Sequence, residues 1–362
     1  MTYEITFFLK SNYLAFLVML WRDFVFIERR VLDVSKIESF LENLGLKLPK
    51  KIDYTVGVFY GKEIVGIGSI SGNTFQGIGV DCRFQGEGIL GKIITHLIKK
   101  TLEMDNDEIY VYTKPNQSIN FESYGFKKIG QCELAVLLEW SSKGIKDFKE
   151  SLRKLSLDKP KETSCIVMNG NPMTIGHLEL IEKAAKESPW LYIIVVEEDC
   201  SLFPYDIRIK LIKEGTKHIK NISIIPGGQY IISSLTFPSY FTREDELVKA
   251  HAQLDLDIFV RHIAPELNIA NRYVGTEPYC EVTSYYNECM KNKLEGFGIK
   301  VKEIPRIKVN GDIVSASKVR EMIRLGKVKE TKRFLPETTY RFVISKEAEK
   351  IRKKIKASDS RH

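Results

Sequence analysis

Two separate polar segments of the sequence carry the residue types that bind phosphate groups. The first is the string NGNPMTIGH over residues 169–177, which follows an apolar run and opens a predicted helix. Backbone N–H groups at a helix N-terminus point at anions, and glycines let the backbone approach them closely. Thr174 and His177 lie three residues apart, so both side chains can face one phosphate from a single turn. The candidate phosphate-binding residues here are Gly170, Asn171, Thr174, Gly176 and His177.

The second segment is VSASKVR over residues 314–320. Its serine at the start of a predicted helix can cap that helix, whose first amides can hold phosphate oxygens. A cation one turn later can offset the charge of a leaving pyrophosphate. The candidate residues are Ser315, Ser317, Lys318 and Arg320. Taken alone, each segment has an ordinary alternative, which is a capped helix start with a surface histidine or arginine.

Two further segments could complete the same site. Loops at the carboxyl ends of parallel strands form the ligand crevice of an open α/β sheet. Arg208, at the start of a predicted helix, is a candidate second phosphate cation, and a surface ion pair is its alternative role. Gly275, Thr276 and Glu277 end or follow a predicted strand, so they are candidate contacts of a ribose or a base. For Glu277, an ordinary turn is the alternative.

The first part of the chain has a phosphate-binding candidate of its own, the string RFQGEG over residues 83–88. It stands between a predicted strand and a long amphipathic helix. A helix N-terminus fronted by glycines can hold a pyrophosphate through backbone amides. The candidate residues are Arg83, Gln85, Gly86 and Gly88, and an ordinary turn is the alternative.

The elements that must position these residues change in type along the chain. Residues 1–140 are predicted to form one α+β domain. Its helices are predicted over 35–44, 86–103 and 116–124. Its strands are predicted as an antiparallel meander over 55–80, a strand over 109–113 and further strand over 127–139. Residues 141–163 are rich in Lys, Ser and Asp and are predicted to be a linker.

Beyond this linker, predicted strands alternate with predicted helices, which favours a doubly wound parallel sheet. The strands are predicted over 164–168, 190–196, 222–225 and 271–275, and the helices over 176–187, 206–216 and 314–325. The second domain is predicted over 164–345. Residues 346–362 are predicted to be a basic, solvated tail.

Composition excludes several classes of protein. Of the 362 residues, 43% are hydrophobic and 28% charged, with 24 Gly and 12 Pro, so the chain is neither disordered nor collagen-like. A net charge of +8 suits phosphate-rich ligands but falls short of a nucleic-acid-binding stripe. The six cysteines form no zinc-type cluster, and the apolar run near residue 13 is short and followed by charges. We therefore expect a reduced, cytoplasmic protein without nucleic-acid or membrane partners.

The phosphate-binding segments resemble motifs of known families. Thr-x-Gly-His at 174–177 and Ser-Ala-Ser-Lys-Val-Arg at 315–320 resemble the two signatures of the nucleotidylyltransferase superfamily, with Ala316 in place of a hydroxyl residue. The superfamily binds the phosphates of ATP with these motifs. The segment 83–88 and its flanking elements resemble motif A of GNAT-type acetyltransferases, which binds the pyrophosphate of coenzyme A. Phe121 stands where many of those enzymes have a general-acid tyrosine.

The combination of these two units resembles the [citrate (pro-3S)-lyase] ligase family. The likeness includes strings outside the generic motifs, at 199–208, 228–233, 236–241, 257–259 and 274–280. It implies ATP and acetate as substrates, Mg²⁺ with the ATP, and the acyl carrier subunit of citrate lyase as partner. It further implies that acetyl adenylate forms first and that the thiol of a phosphoribosyl-dephospho-coenzyme A group then takes the acetyl group. In this scheme His177, Thr174 and Arg320 are catalytic.

Two alternatives remain open at the level of sequence. One is an acetyl-CoA-dependent acetyltransferase with a degenerate nucleotide-binding domain, which would need an acid to replace the displaced tyrosine. The other is a non-catalytic nucleotide sensor, which would tolerate loss of His177. Acetate-dependent exchange of pyrophosphate into ATP is expected of the ligase alone.

Overall fold

A computed structural model of the chain describes residues 26–197, 201–231, 244–276 and 281–358. These residues fall into two compact units. Residues 26–129 and 134–144 belong to the first unit, and the other described residues belong to the second. Within the described ranges every helix is too short or too polar to span a lipid bilayer.

The first unit is built on a seven-stranded mixed sheet. Its elements are β1 Phe26–Arg30, α1 Val34–Asn43, β2 Tyr54–Tyr60, β3 Glu63–Ser71, β4 Thr74–Val80, α2 Ile89–Glu103, β5 Glu108–Thr113, α3 Ser118–Glu122, β6 Lys127–Gln131 and β7 Val136–Ser141. The strand order is β1-β2-β3-β4-β5-β7-β6. Strands β2 to β4 pair antiparallel, as the meander predicted over 55–80 requires. Strand β1, which was not predicted, pairs antiparallel with β2, and β4 pairs parallel with β5.

Helix α2 packs closely on this sheet. Its apolar side chains recur every three to four residues, and Ile89, Ile93 and Leu97 are fully or almost fully buried. The close approach depends on a glycine, because a Cβ atom at Gly66 of β3 would lie 2.5 Å from Cγ2 of Ile89. This packing fixes the N-terminal turn of α2 at the end of β4.

The second unit contains a five-stranded parallel sheet, in the order β10-β9-β8-β11-β12. The strands are β8 Thr163–Met168, β9 Leu191–Val195, β10 Ile222–Pro226, β11 Ile269–Gly275 and β12 Lys300–Ile304. The helices are α4 Gly144–Ser156, α5 Ile175–Lys186, α6 Tyr205–Gly215, α7 Glu244–Ile258, α8 Glu281–Glu295, α9 Ala316–Arg324, α10 Glu337–Ile344 and α11 Glu349–Ala357. A short hairpin, β13 Lys308–Val309 and β14 Asp312–Ile313, precedes α9.

Both faces of this sheet are covered. Along β9, Tyr192 and Ile194 join one hydrophobic cluster, and Ile193 and Val195 join another. A strand buried on both faces is typical of parallel sheets with helices on either side. The predicted fold class, an α+β unit followed by a doubly wound parallel sheet, is therefore confirmed.

Two of the predicted boundaries need correction. The segment 141–163, predicted as a linker, contains α4, whose Leu152 is 2% exposed and packs in a cluster with Cys165 and Tyr192 of the second unit. The segment 346–362, predicted as a solvated tail, contains α11. Its Ile351 and Ile355 are buried in a cluster that includes residues of α9. Sparse apolar residues at helical spacing were sufficient to bury these segments despite their high charge.

Candidate functional site

A cavity of about 910 Å³ lies at the carboxyl ends of β8, β11 and β12. Strands β8 and β11 are neighbours in the sheet, although β9 and β10 come between them in the chain. Such a topological switch point is where open α/β sheets bind ligands. The first turns of α5 and α9 complete the wall. The predicted site residues that line the cavity are Gly170, Asn171, Thr174, Gly176, His177, Gly275, Ser315, Ser317, Lys318 and Arg320.

The first turn of α5 is organised by Thr174 and His177. The backbone N–H of Thr174 donates to Nδ1 of His177 at 3.0 Å, and the backbone N–H of His177 donates to Oγ1 of Thr174 at 3.4 Å. This reciprocal capping box fixes the imidazole against the helix N-terminus. Because Nδ1 accepts a hydrogen bond, the proton of the neutral ring is assigned to Nε2.

The electrostatic environment keeps His177 neutral. Burial of the ring, together with the positive charge of Arg306, lowers its pKa to about 4. Near neutral pH, His177 is therefore an uncharged hydrogen-bond donor in the wall of the cavity, and the capping box holds its ring in place. Such a donor can stabilise charge that develops on a phosphate oxygen without first losing a proton.

The first turn of α9 supplies a second helix N-terminus at the same cavity. Ser315 caps the helix, since its Oγ accepts from the backbone N–H of Lys318 at 3.2 Å and lies 3.1 Å from Oγ of Ser317. The two helix starts are close together: a Cβ atom at Gly176 would lie 3.6 Å from the carbonyl oxygen of Val314. Their partial positive ends therefore add in one place.

Arg320 connects the second segment to the first. It is 6% exposed, and its Nη1 donates to the carbonyl oxygen of Asn171 at 2.5 Å. Asn171 is itself buried, and its Oδ1 accepts from the backbone N–H of Phe203 at 3.0 Å. Residues far apart in the sequence are thus brought together, as the motif assignment requires.

Arg208 does not take the predicted role. It is fully buried and is not among the residues that line the cavity. Its Nη1 donates to the carbonyl oxygens of Asn169 and Val196, both at 2.8 Å, and its Nε donates to that of Phe203 at 3.0 Å. The prediction of a second phosphate cation is corrected: in the structure this arginine holds the loops behind the cavity.

The loop after β11 meets the prediction in part. Gly275 lines the cavity. Thr276 is not among the lining residues, and it binds Arg306 through its side chain and its carbonyl oxygen. Glu277 lies outside the described residues, as does the string at 236–241. Arg306 lines the cavity but was not predicted, because the strand β12 that precedes it was not recognised; a cation directly after that strand would have been the signal.

The turn at residues 83–88 has a different construction. Gly86 and Gly88 adopt φ angles of +92° and +72°, and a Cβ atom at either position would meet no atom within 4 Å. Gly88 caps α2 without a side-chain hydrogen bond. Arg83 forms ion pairs with Asp81, at 2.6 Å, and with Glu63, and these carboxylates raise the pKa of its guanidinium. The backbone of this turn is therefore accessible, whereas the side chain of Arg83 is paired with two carboxylates.

Three carboxylate side chains line the cavity of the second unit and could serve as ligands of a metal ion. They are Glu179, Asp312 and Glu321. Within the part of the chain that the structure describes, no three His, Cys, Asp or Glu side chains cluster as a metal site. This donor set fits Mg²⁺ held mainly by substrate phosphates, with one or two carboxylates at most.

Comparison with known proteins finds one family in particular. Residues 163–343 match the family model described as the citrate lyase ligase C-terminal domain. Over 316 aligned residues the chain is 38% identical to the "[Citrate [pro-3S]-lyase] ligase" of Klebsiella pneumoniae. The alignment covers 85% of this chain and 92% of that protein.

Two solved structures are similar to parts of the chain. The pantothenate synthetase of Thermus thermophilus is 17% identical, with a TM-score of 0.36. The match covers 51% of this chain and 73% of the synthetase chain. FeeM, an N-acyl amino acid synthase from uncultured soil microbes, is 14% identical, covering 33% of this chain and 92% of its own, with a TM-score of 0.26.

The fold and the site define a two-unit α/β protein with a cationic cavity at the switch point of a doubly wound sheet. The sequence matches then make the family plain: the chain belongs to the [citrate [pro-3S]-lyase] ligases, a family of enzymes.

Proposed function

We propose that this chain acetylates the thiol of the phosphoribosyl-dephospho-coenzyme A group on the acyl carrier subunit of citrate lyase, at the expense of ATP and acetate. One observation carries the proposal: in a chain of this family, two helix N-termini converge with Thr174, His177 and Arg320 on one cavity. Its volume of about 910 Å³ is within the range of small-molecule sites and suits a nucleotide together with a small acid.

In the first step, a carboxylate oxygen of acetate attacks the α-phosphorus of ATP. The bond from that phosphorus to the β-phosphate bridging oxygen breaks, so acetyl adenylate forms and pyrophosphate leaves. Such a step depends on positioning and on charge stabilisation, and it needs no protein nucleophile. The fixed Nε2–H of His177 and the amides of α5 serve the α-phosphate, and the α9 start with Ser315 and Lys318 serves the leaving pyrophosphate.

In the second step, the sulfur of the carrier thiol attacks the acetyl carbonyl carbon. The thiol gives up its proton, the bond from the carbonyl carbon to the phosphate oxygen breaks, and AMP leaves. No described cysteine is needed in this scheme. Cys165, in the core of the second unit, is fully buried, and burial raises the pKa of its thiol to about 12.

The first unit serves, in this proposal, to bind the acceptor arm. The open amides at Gly86 and Gly88 suit the pyrophosphate of a coenzyme A-like group. Phe121, at the position of the acetyltransferase acid, is 7% exposed and packs edge-on against Phe126. An apolar side chain there favours binding of the arm over an acetyl-CoA-dependent reaction in this unit.

Mg²⁺ bound to ATP would neutralise part of the phosphate charge. Of the carboxylates that line the cavity, Asp312 lies in the short hairpin before α9 and Glu321 lies within α9. Either could reach such an ion without forming a complete protein site.

Exchange of labelled pyrophosphate into ATP tests the proposal. Exchange should require acetate, and hydroxylamine should trap the intermediate as acetohydroxamate without any carrier protein. Addition of deacetylated citrate lyase should then yield AMP in equal amount to the thioester formed. An enzyme that acetylates the carrier from acetyl-CoA, but shows no acetate-dependent exchange, would exclude this function and support the acetyltransferase alternative.

A further inference from the structure

Arg306 is a cation of the cavity that none of the sequence motifs includes. It stands two residues after the end of β12, and it lines the cavity together with His177. Its backbone N–H donates to Oγ1 of Thr276 at 3.3 Å, and its Nε donates to the carbonyl oxygen of Thr276 at 2.7 Å. The backbone N–H and the side-chain Nε of Arg306 are thus both anchored to the loop that follows β11.

The path of this side chain leads past Gly275. A Cβ atom at Gly275 would lie 3.9 Å from both Cγ and Nε of Arg306, which is ordinary van der Waals contact. The guanidinium is therefore held at the carboxyl edge of β11 and β12, on the sheet side of the cavity. It is close enough to His177 for its positive charge to contribute to the low pKa of the imidazole.

The other cations of the cavity come from α9, and hydrogen bonds or ion pairs hold them there. Arg320 donates to the carbonyl oxygen of Asn171, and Lys318 pairs with Glu321 at 3.5 Å. Arg324 donates from Nε to the carbonyl oxygen of Ser358 at 3.1 Å. Besides Arg306, the charged side chains that share the cavity with His177 are Glu179, Asp312, Lys318, Arg320, Glu321 and Arg324.

We infer that Arg306 is a catalytic residue whose guanidinium binds the α-phosphate of ATP opposite the α9 cations, jointly with the Nε2–H of His177. This inference rests on the proposed function, which assigns the α-phosphate to the start of α5. Two donors of this kind, a charged guanidinium and a neutral imidazole, can hold two non-bridging oxygens of the α-phosphate at once. Negative charge grows on those oxygens as acetate attacks, so both bonds strengthen in the transition state.

Substitution of Arg306 by Gln and by Lys tests the assignment. Arg306→Gln should lower kcat for acetate-dependent exchange by about 10² or more, the scale of one lost preorganised donor, with a smaller change in KM for ATP. Arg306→Lys keeps the charge but not the planar fork, so a loss of about tenfold is expected. The matched control is Arg341→Gln, which removes the same charge from an exposed position of the same unit outside the cavity, where Arg341 pairs with Glu337 at 2.8 Å, and it should change exchange by less than about threefold.

Two readouts do not depend on turnover. Arg306→Gln should weaken AMP binding by about tenfold in calorimetry, because one charge-assisted contact to the phosphate is lost. In NMR titrations of histidine-labelled protein, the pKa of His177 should rise in Arg306→Gln and stay low in Arg306→Lys, since a neighbouring positive charge disfavours the imidazolium.

Each of these measurements either supports or overturns the assignment of Arg306 to the α-phosphate. Wild-type exchange and AMP affinity in Arg306→Gln would overturn the inference. An equal loss in Arg341→Gln would also overturn it, because the effect would then come from the net charge of the protein and not from a contact in the cavity. If Arg306→Gln does not fold, wild-type exchange in Arg306→Lys overturns it instead. Absence of exchange in the wild-type enzyme would refute the proposed function, whereas AMP binding and the His177 titration would still test Arg306 separately.

Discussion

Two strand-to-helix turns of this protein, both proposed to bind phosphate groups, are built in opposite ways. At the start of α5, side chains form the turn: Thr174 and His177 cap each other, and the ring is fixed at a cavity. At the start of α2, the turn consists of glycines at positive φ, with no side-chain cap on Gly88 and open space around Gly86. One turn presents an aligned donor, and the other presents bare backbone.

The construction of each turn indicates what that turn can contribute to binding or to the rate of the reaction. A fixed side-chain donor can discriminate a transition state from a ground state, because its position is set before charge develops. A glycine turn admits a pyrophosphate close to its amides, but it has no group that can titrate or move with the reaction. We therefore expect the α5 turn to affect rate and the α2 turn to affect affinity for the acceptor.

The sharpest test of this contrast removes the imidazole. His177→Ala should lower acetate-dependent pyrophosphate exchange by about 10² or more, since a preorganised donor to the α-phosphate is lost. Transfer from preformed acetyl adenylate to the carrier should fall much less. His218→Ala is the control, because His218 is exposed and pairs with Glu182 at 2.8 Å. Near-wild-type exchange in a folded His177→Ala variant would remove this residue from the mechanism.

The two turns should also differ in their dependence on pH. The pKa of His177 is about 4 in the folded protein, against an ordinary value of 6.5, so below pH 6.5 the unfolded state binds the proton more readily. Stability should therefore be lost as pH falls from about 6.5 to about 4, by about 2 kcal/mol at pH 5 from this group. Urea unfolding of wild type and of His177→Asn at pH 7 and pH 5 isolates this contribution as a difference. An identical acid sensitivity in both proteins would contradict the depressed pKa.

A smaller effect is expected at the glycine turn. Gly88→Val should block backbone approach to the arm of the carrier and raise the apparent KM for deacetylated citrate lyase by about tenfold, with exchange nearly unchanged. Because valine at a φ of +72° is also strained, the matched control is Gly45→Val, at +69° and likewise in open space after α1. An equal loss of transfer in both variants would show strain rather than a lost binding surface.

The sequence predicted the fold class, and it predicted ten of the residues that line the cavity, for identifiable physical reasons. The meander predicted over 55–80 is confirmed as strands β2 to β4, because β-rich apolar runs and turn residues mark these strands and their ends. Helix α9 was found from Ser315, whose hydroxyl is the expected cap. The second unit's β12 and its α7 and α8 were not recognised. Strand β12 is a partly buried edge strand with a weak apolar pattern, and in α7 buried polar residues such as Asp255 and Asp257 interrupt the apolar periodicity.

The errors at individual residues share one cause. Arg208 lies in the first turn of a helix and Arg306 follows a strand, and neither local sequence shows whether the guanidinium is buried or faces the cavity. Only the packing decides that Arg208 is enclosed by three carbonyl oxygens while Arg306 faces the cavity. Likewise, the burial of Leu152 in α4 depends on the distant β9 and so could not be read from a charged local segment.

The buried Arg208 has a consequence for the motions of the site. One planar guanidinium joins the chain directly after β8, the chain directly after β9 and the segment that leads into α6. The loop after β8 and both ends of the loop that connects β9 to α6 are thereby constrained to move as a single body. Their amides should share one slow class of hydrogen exchange and open in a concerted event rather than one loop at a time. The loops behind the cavity are thus expected to be the stiff part of the site, against which substrates are aligned.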